Sequence, residues 1–153
     1  MNRTILISGC LAGLRVRYNG LSRPHAFLEE LAGMGVLVPC CPEILGGLGV
    51  PRPPCRFEGG DGRAVLKGAA QIIDSLGDNR TDAFLRGAEE VLQVCRLVRP
   101  NLVIFKEGSP SCGVHRVDIG GDTQQGCGVT TAMLESLRIP IISEEDPLPQ
   151  SFE

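Results

Sequence analysis

The chain has 153 residues, 42% of them hydrophobic, and a formal net charge of -3, which fits one domain over residues 1–153 with a single core. Aromatic residues make up only 4% and tryptophan is absent. A base-stacking surface or a basic phosphate-binding face is therefore excluded, and nucleic acid is not an expected partner. The apolar residues after Met1 are too few for a signal segment and no stretch approaches a membrane span, so a cytoplasmic location away from membranes is expected. In that compartment the seven cysteines point to metal, cluster or thiol chemistry rather than disulfides.

In chain order, Thr4 to Ser8 is an aliphatic run ending at Gly9, which predicts a buried strand followed by a loop at Cys10. Asn19-Gly20 marks a turn. Phe27, Leu28 and Leu31 predict a helix after Pro24 that stops near Gly33 or Gly35. Val36 to Pro39 then forms a second strand and completes a βαβ unit. Residues 42–60, rich in proline and glycine, admit no long regular element, and a connection of that length is expected to serve function.

Arg63 to Leu66 reads as a short strand or as the lead into a helix around Ala69 to Asp74. Thr81 is expected to cap a helix carrying Phe84, Leu85, Ala88, Val91, Leu92 and Cys95 at helical spacing, ending before Pro100. Leu102 to Phe105 forms a third buried strand. A glycine-rich loop over 120–128 precedes a helix capped by Thr130 or Thr131, and Ile139 to Ile142 gives a last strand at a sheet edge because of Pro140. The pattern predicts an α/β fold: a single-domain, mostly parallel sheet flanked by helices in a Rossmann-like three-layer arrangement with right-handed crossovers.

Such sheets bind ligands beyond the carboxyl ends of their strands. Cys10, Cys41 and Cys112, the last within Ser109-Pro110-Ser111-Cys112-Gly113, all follow predicted strands and would converge at that edge. Three thiolates from three loops suit a metal centre that keeps one position open for substrate, with zinc and iron-sulfur both compatible. Cys95 is expected in the core, as is Cys40, which alternates away from Cys41. Cys55 and Cys127 are spare thiols or reserve ligands. Glu43 stands two residues after Cys41, where its carboxylate would be an acid or base, or simply a solvated loop charge. Ser109 and Ser111 either act on a bound ligand or form the turn around Cys112, with Ser111 favoured as the turn-former. Arg52 is a candidate for binding a carbonyl or anionic oxygen, with a surface arginine as the plain reading. His25 and His115 are expected at the surface.

Ser8-Gly9-Cys10-Leu11-Ala12-Gly13, Arg17-Tyr18-Asn19-Gly20, Cys41-Pro42-Glu43-Ile44-Leu45-Gly46-Gly47-Leu48, Pro51-Arg52-Pro53-Pro54, Phe84-Leu85-Arg86-Gly87-Ala88 and Lys106 to Gly113 resemble, in order, the motifs of a bacterial family that includes thiouracil desulfidases. The resemblance implies a 4Fe-4S cluster held by Cys10, Cys41 and Cys112 with one iron not ligated by protein. It implies a small thiolated pyrimidine as substrate, Glu43 as acid-base residue and a serine of the Ser-Pro-Ser-Cys motif, Ser109, as its assistant; from their own chemistry, Ser111 and Arg52 are expected to bind the substrate. The implied reaction is hydrolytic, converting C=S to C=O without net redox change. Many relatives carry a cysteine where this chain has Val16. The competing expectations are a sulfurtransferase using the same cluster and a non-catalytic cluster- or zinc-binding regulatory module.

Overall fold

A computed structural model describes residues 3–150. Strand β1 (Arg3–Ser8) lies between β2 (Gly35–Cys40) and β5 (Leu102–Phe105), and β8 (Ile141–Ser143) completes a sheet ordered β2-β1-β5-β8. All three pairings are parallel. The central strands are covered on both faces, which is why they read as unbroken apolar runs. Ile5, Ile7, Leu102 and Ile104 face one side with Leu11 and Leu31, while Leu6, Val103 and Phe105 face the other with Val91, Cys95 and Leu134. As expected from Pro140, β8 lies at a sheet edge.

Helix α1 (Leu28–Met34) begins later than the sequence suggests. The residues before it are held instead to the first strand's loop, with Arg23 N bonded to the Cys10 carbonyl and His25 N to the Leu11 carbonyl. That contact buries His25, which is 6% exposed. Its surface assignment is therefore corrected. Residues 42–60 do contain only short pieces: helix α2 (Pro42–Leu45) and strand β3 (Cys55–Glu58).

Two further segments differ from expectation. Helix α3 (Gly62–Leu66) forms because the Asp61 side chain caps it, accepting from Arg63 N and Ala64 N, and Gln71 to Asp74, read as helical, is strand β4 (Gln71–Asp74). Within the expected loop, β6 (Arg116–Ile119) and β7 (Asp122–Gln125) form a hairpin. Gly120 and Gly121, at φ 66° and 98°, supply the two left-handed residues a tight hairpin turn demands. A second sheet, ordered β4-β3-β6-β7, results, in which only β3 and β6 run parallel.

Helix α4 (Thr81–Val98) joins the two sheets. Its Phe84 and Ala88 pack with Phe57, Ile72 and Val117 of the second sheet, and its Val91 and Cys95 pack under the first. One helical stripe thus serves two cores. Thr81 is the first residue of the helix rather than its cap: its Oγ1 accepts from Ile72 N at 2.9 Å, and Asn79 Oδ1 accepts from Thr81 N at 2.9 Å. Helix α5 (Val129–Leu134) starts after Gly128, so Thr130 and Thr131 lie inside it. Thr131 Oγ1 donates to the Cys112 carbonyl at 3.0 Å and ties this helix to the Ser109–Gly113 loop. Among the described residues no helix is long and apolar enough to cross a membrane.

Glycine at position 87, unfavourable in a helix interior, has a packing cause. A Cβ there would come 1.9 Å from the Pro42 carbonyl oxygen, and one at Gly46 would come 2.1 Å from the Ala83 carbonyl oxygen. Helix α2 therefore rests backbone to backbone on α4, which sets the height of Cys41 and Glu43. Gly87→Ala is expected to lower the melting temperature by a net cost of about 1–3 kcal/mol despite its better helix propensity; equal or higher stability in thermal melts would refute this close-approach account.

Candidate active site and cluster cavity

The carboxyl ends of β1, β2 and β5 open into a cavity of about 320 Å³. Cys10 follows β1, Cys41 follows β2, and Cys112 sits on the loop after β5; all three line this cavity and all are free thiols. Burial raises each of them: Cys10 to about 11, Cys41 upward, and Cys112 well above the usual thiol range. The nearby thiols reinforce this for Cys10 and Cys112, whereas Lys106 and Arg17 pull Cys10 down and the Ser8 and Ser111 hydroxyls pull Cys112 down. Burial thus favours the neutral thiols, and thiolate ligation there would need a cationic centre to offset it.

Among the described residues no three His, Cys, Asp or Glu side chains are gathered tightly enough for a single metal ion. Three free thiols lining one cavity are the soft donor set that an iron-sulfur cluster takes.

Beside the thiols lies a carboxylate-hydroxyl group. Glu43, in the first turn of α2, takes Ser111 Oγ on its Oε2 at 2.9 Å, with Ser109 Oγ at 3.4 Å from the same oxygen. The two hydroxyls are 2.9 Å apart. Ser109 Oγ also accepts from the backbone N–H groups of Ser111 and Cys112 at 3.2 and 3.1 Å. Ser109 is thus the turn-former, which reverses the expectation for Ser111. Ser111 is buried and lies 3.6 Å from Cys112 Sγ.

Arg52 is no surface residue, its side chain being 6% exposed. Its Nε donates to Glu43 Oε1 at 3.1 Å, Nη1 to the Gly49 carbonyl at 3.1 Å and Nη2 to the Val16 carbonyl at 3.0 Å. Every guanidinium nitrogen therefore has a protein partner, and one of those partners is the carboxylate of the site.

A family model described as 2-thiouracil desulfurase matches residues 5–146. The chain belongs to the 2-thiouracil desulfurase family. It is 37% identical over 145 residues to the uncharacterized protein YbbK of Bacillus subtilis (strain 168), covering 93% of this chain and 96% of that protein. Among solved structures it is similar to the 4Fe-4S-dependent thiouracil desulfidase TudS, with a TM-score of 0.80 and 35% identity over 94% of this chain and 92% of the other. The family and the α/β fold expected from the sequence are both upheld.

Within this desulfurase chain the remaining cysteines divide clearly. Cys95 lies in the core, and Cys40 packs beside it while also reaching the cavity wall. Cys55 lines the cavity, whereas Cys127 is buried elsewhere, its N–H bonded to Asp61 Oδ2 at 3.1 Å. Val16 also lies on the cavity wall. His115 is exposed, as expected, and its Nε2 pairs with Asp146 at 2.8 Å.

Sequence reasoning missed Glu107. This buried carboxylate takes four backbone N–H groups on one oxygen: Gly108 at 3.3 Å, Val114 at 2.8 Å, His115 at 2.9 Å and Arg116 at 3.1 Å. Both ends of the loop carrying Ser109, Ser111 and Cys112 are thereby drawn to a single atom. The one available signal was its place directly after a strand that delivers site residues. Burial by itself would raise the Glu107 pKa, but the four N–H bonds outweigh it and leave it lowered. A carboxylate lowered on folding stabilises fully above its unfolded pKa and loses that contribution as pH falls through its folded value. Glu107→Gln is expected to cost about 1–3 kcal/mol at neutral pH, with the gap to wild type narrowing in urea melts below about pH 4; a constant gap would contradict the charge-based account.

Proposed function

We propose that this chain catalyses hydrolytic, non-redox desulfuration of a thiolated pyrimidine base such as thiouracil. Water replaces the sulfur, and the products are the oxo base and hydrogen sulfide. The observation that carries the reading is the placement of three free thiols and the Glu43–Ser111–Ser109 group around one cavity, in a member of the 2-thiouracil desulfurase family.

Cys10, Cys41 and Cys112 are the residues that would hold a 4Fe-4S cluster with one iron left free of protein ligands. When bound, such a cluster supplies Lewis acidity towards the thiocarbonyl sulfur. Glu43 is the base: its carboxylate accepts a proton from the attacking water, and Arg52 and Ser111 fix its two oxygens in place. Ser109 assists as a hydrogen-bond donor within that carboxylate-hydroxyl group. Its oxygen is occupied by two backbone N–H donors, which directs its own hydrogen towards Ser111 or Glu43. The protein-bonded Arg52 and Ser111 suit positioning of Glu43 better than the direct substrate contact expected from the sequence.

The test is anaerobic reconstitution followed by incubation with 2-thiouracil. Sulfide and uracil are expected in equal amounts; release of neither removes the proposal, and transfer of sulfur only to an added acceptor favours the sulfurtransferase alternative. Cys10→Ser, Cys41→Ser and Cys112→Ser are each expected to lower iron content sharply, while Cys95→Ser retains it. Glu43→Gln is expected to keep iron and lose roughly 10²- to 10⁴-fold in kcat, the usual worth of a general base; full residual turnover would exclude Glu43 from proton transfer.

A further inference from the structure

The cavity walls are mostly thiol, hydroxyl, proline and charged groups, and Tyr18 is the one aromatic among the described residues that line it. It is also the only tyrosine of a chain that has no tryptophan. Tyr18 belongs to none of the three core clusters and is 40% exposed, so packing of the fold does not explain it. A single exposed apolar residue needs no explanation by itself. What sets Tyr18 apart is how firmly its backbone is held beside the site.

The turn that carries it is closed by Gly20 N on the Arg17 carbonyl at 2.8 Å and Arg17 N on the Leu21 carbonyl at 3.2 Å. Gly20, at φ 78°, supplies the left-handed residue. Arg52 N then donates to the Tyr18 carbonyl at 2.8 Å, and the guanidinium of that same Arg52 holds both Val16 and Glu43. Tyr18 and the carboxylate are therefore referenced to one buried arginine. The Arg17 guanidinium lies 5.9 Å from the centre of the Tyr18 ring, within the range of a cation-π contact.

An aromatic residue at the wall of a small cavity, on a backbone held in place, offers a platform for a flat ligand, since every pyrimidine base presents a π-face. We infer that Tyr18 is a specificity-determining residue whose ring receives the face of the substrate base, so that the site selects planar, unsaturated cyclic thioamides over puckered, saturated ones. This inference rests on the desulfurase reading for the identity of the substrate. It makes no use of the cluster beyond requiring that loading be unchanged.

The test compares cluster-loaded wild type, Tyr18→Phe and Tyr18→Leu on 2-thiouracil and on its saturated analogue dihydro-2-thiouracil. Each variant is scored as a ratio to wild type on the same substrate, which cancels the differing reactivity of the two compounds. Iron content and equilibrium binding of uracil are measured in parallel. Tyr18→Leu is expected to raise KM for 2-thiouracil roughly tenfold, within the usual worth of one aromatic-base stack, with a much smaller change for the dihydro compound, a lesser effect on kcat and unaltered iron. Tyr18→Phe restores the wild-type preference because the ring, not the hydroxyl, is the contact. Equal effects of Tyr18→Leu on both substrates, no effect on either, or a phenylalanine variant as impaired as the leucine one would overturn the inference. Should wild type release no sulfide, the desulfurase reading fails separately and uracil binding decides: weaker binding only in Tyr18→Leu upholds the platform, and equal binding in all three proteins refutes it.

Discussion

Ser8 pairs with Cys40 across β1 and β2, and Ile7 pairs with Ile104 across β1 and β5, all three strands running the same way. This register brings three chain segments to a common edge within a residue or two of one another. Cys10 and Cys41 then stand just past that edge, and the loop carrying Cys112 folds back over it. A one-residue slip would exchange Ile5 and Ile7 with Leu6 between the two cores, setting side chains of the wrong shape against each packed face. Core packing therefore protects the thiol placement: the energy that keeps the register is apolar burial on both sheet faces, and the site inherits its geometry from it.

The loops beyond the edge are fixed by a different means, because they have little apolar surface to bury. Two buried charges organise them. Glu107 gathers four N–H groups of the Cys112 loop, and Arg52 joins Val16, Gly49 and Glu43 from three other places. Glu144 adds a smaller clasp, accepting from Glu107 N at 2.8 Å while pairing with Lys106 at 3.2 Å. Buried ionic groups of this kind contribute little net stability, yet losing one partner is costly, which suits parts that must adopt one arrangement only. Close backbone contacts complete the frame, as at Gly128, where a Cβ would lie 2.4 Å from the Ser111 carbonyl.

Much of this was legible in the sequence, for physical reasons that differ by element. The parallel strands read clearly because burial on two faces leaves apolar runs such as Ile5-Leu6-Ile7 and Leu102-Val103-Ile104-Phe105. Helix α4 read clearly because Phe84, Ala88, Val91 and Cys95 form one stripe. The second sheet did not, since its strands have four residues each and β7 is exposed throughout, leaving no alternation to detect. The Gly120-Gly121 turn was concealed in a run of glycines. Arg52 looked like a surface residue because its partners are carbonyls and a carboxylate brought from distant segments, and Glu107 escaped notice because it bonds to backbone, which carries no side-chain pattern. For Ser109 and Ser111 the two hydroxyls are equivalent on paper, and only the fold shows which one takes the turn.

The central claim is that Cys10, Cys41 and Cys112 together hold one four-iron cluster and leave one of its irons to the substrate. Mössbauer spectroscopy of the anaerobically reconstituted, iron-labelled protein addresses this most directly. The account predicts three irons alike and one distinct, with the distinct signal alone shifting when thiouracil is added. Four equivalent irons unaffected by thiouracil, or a protein that takes up zinc and no cluster, would contradict it.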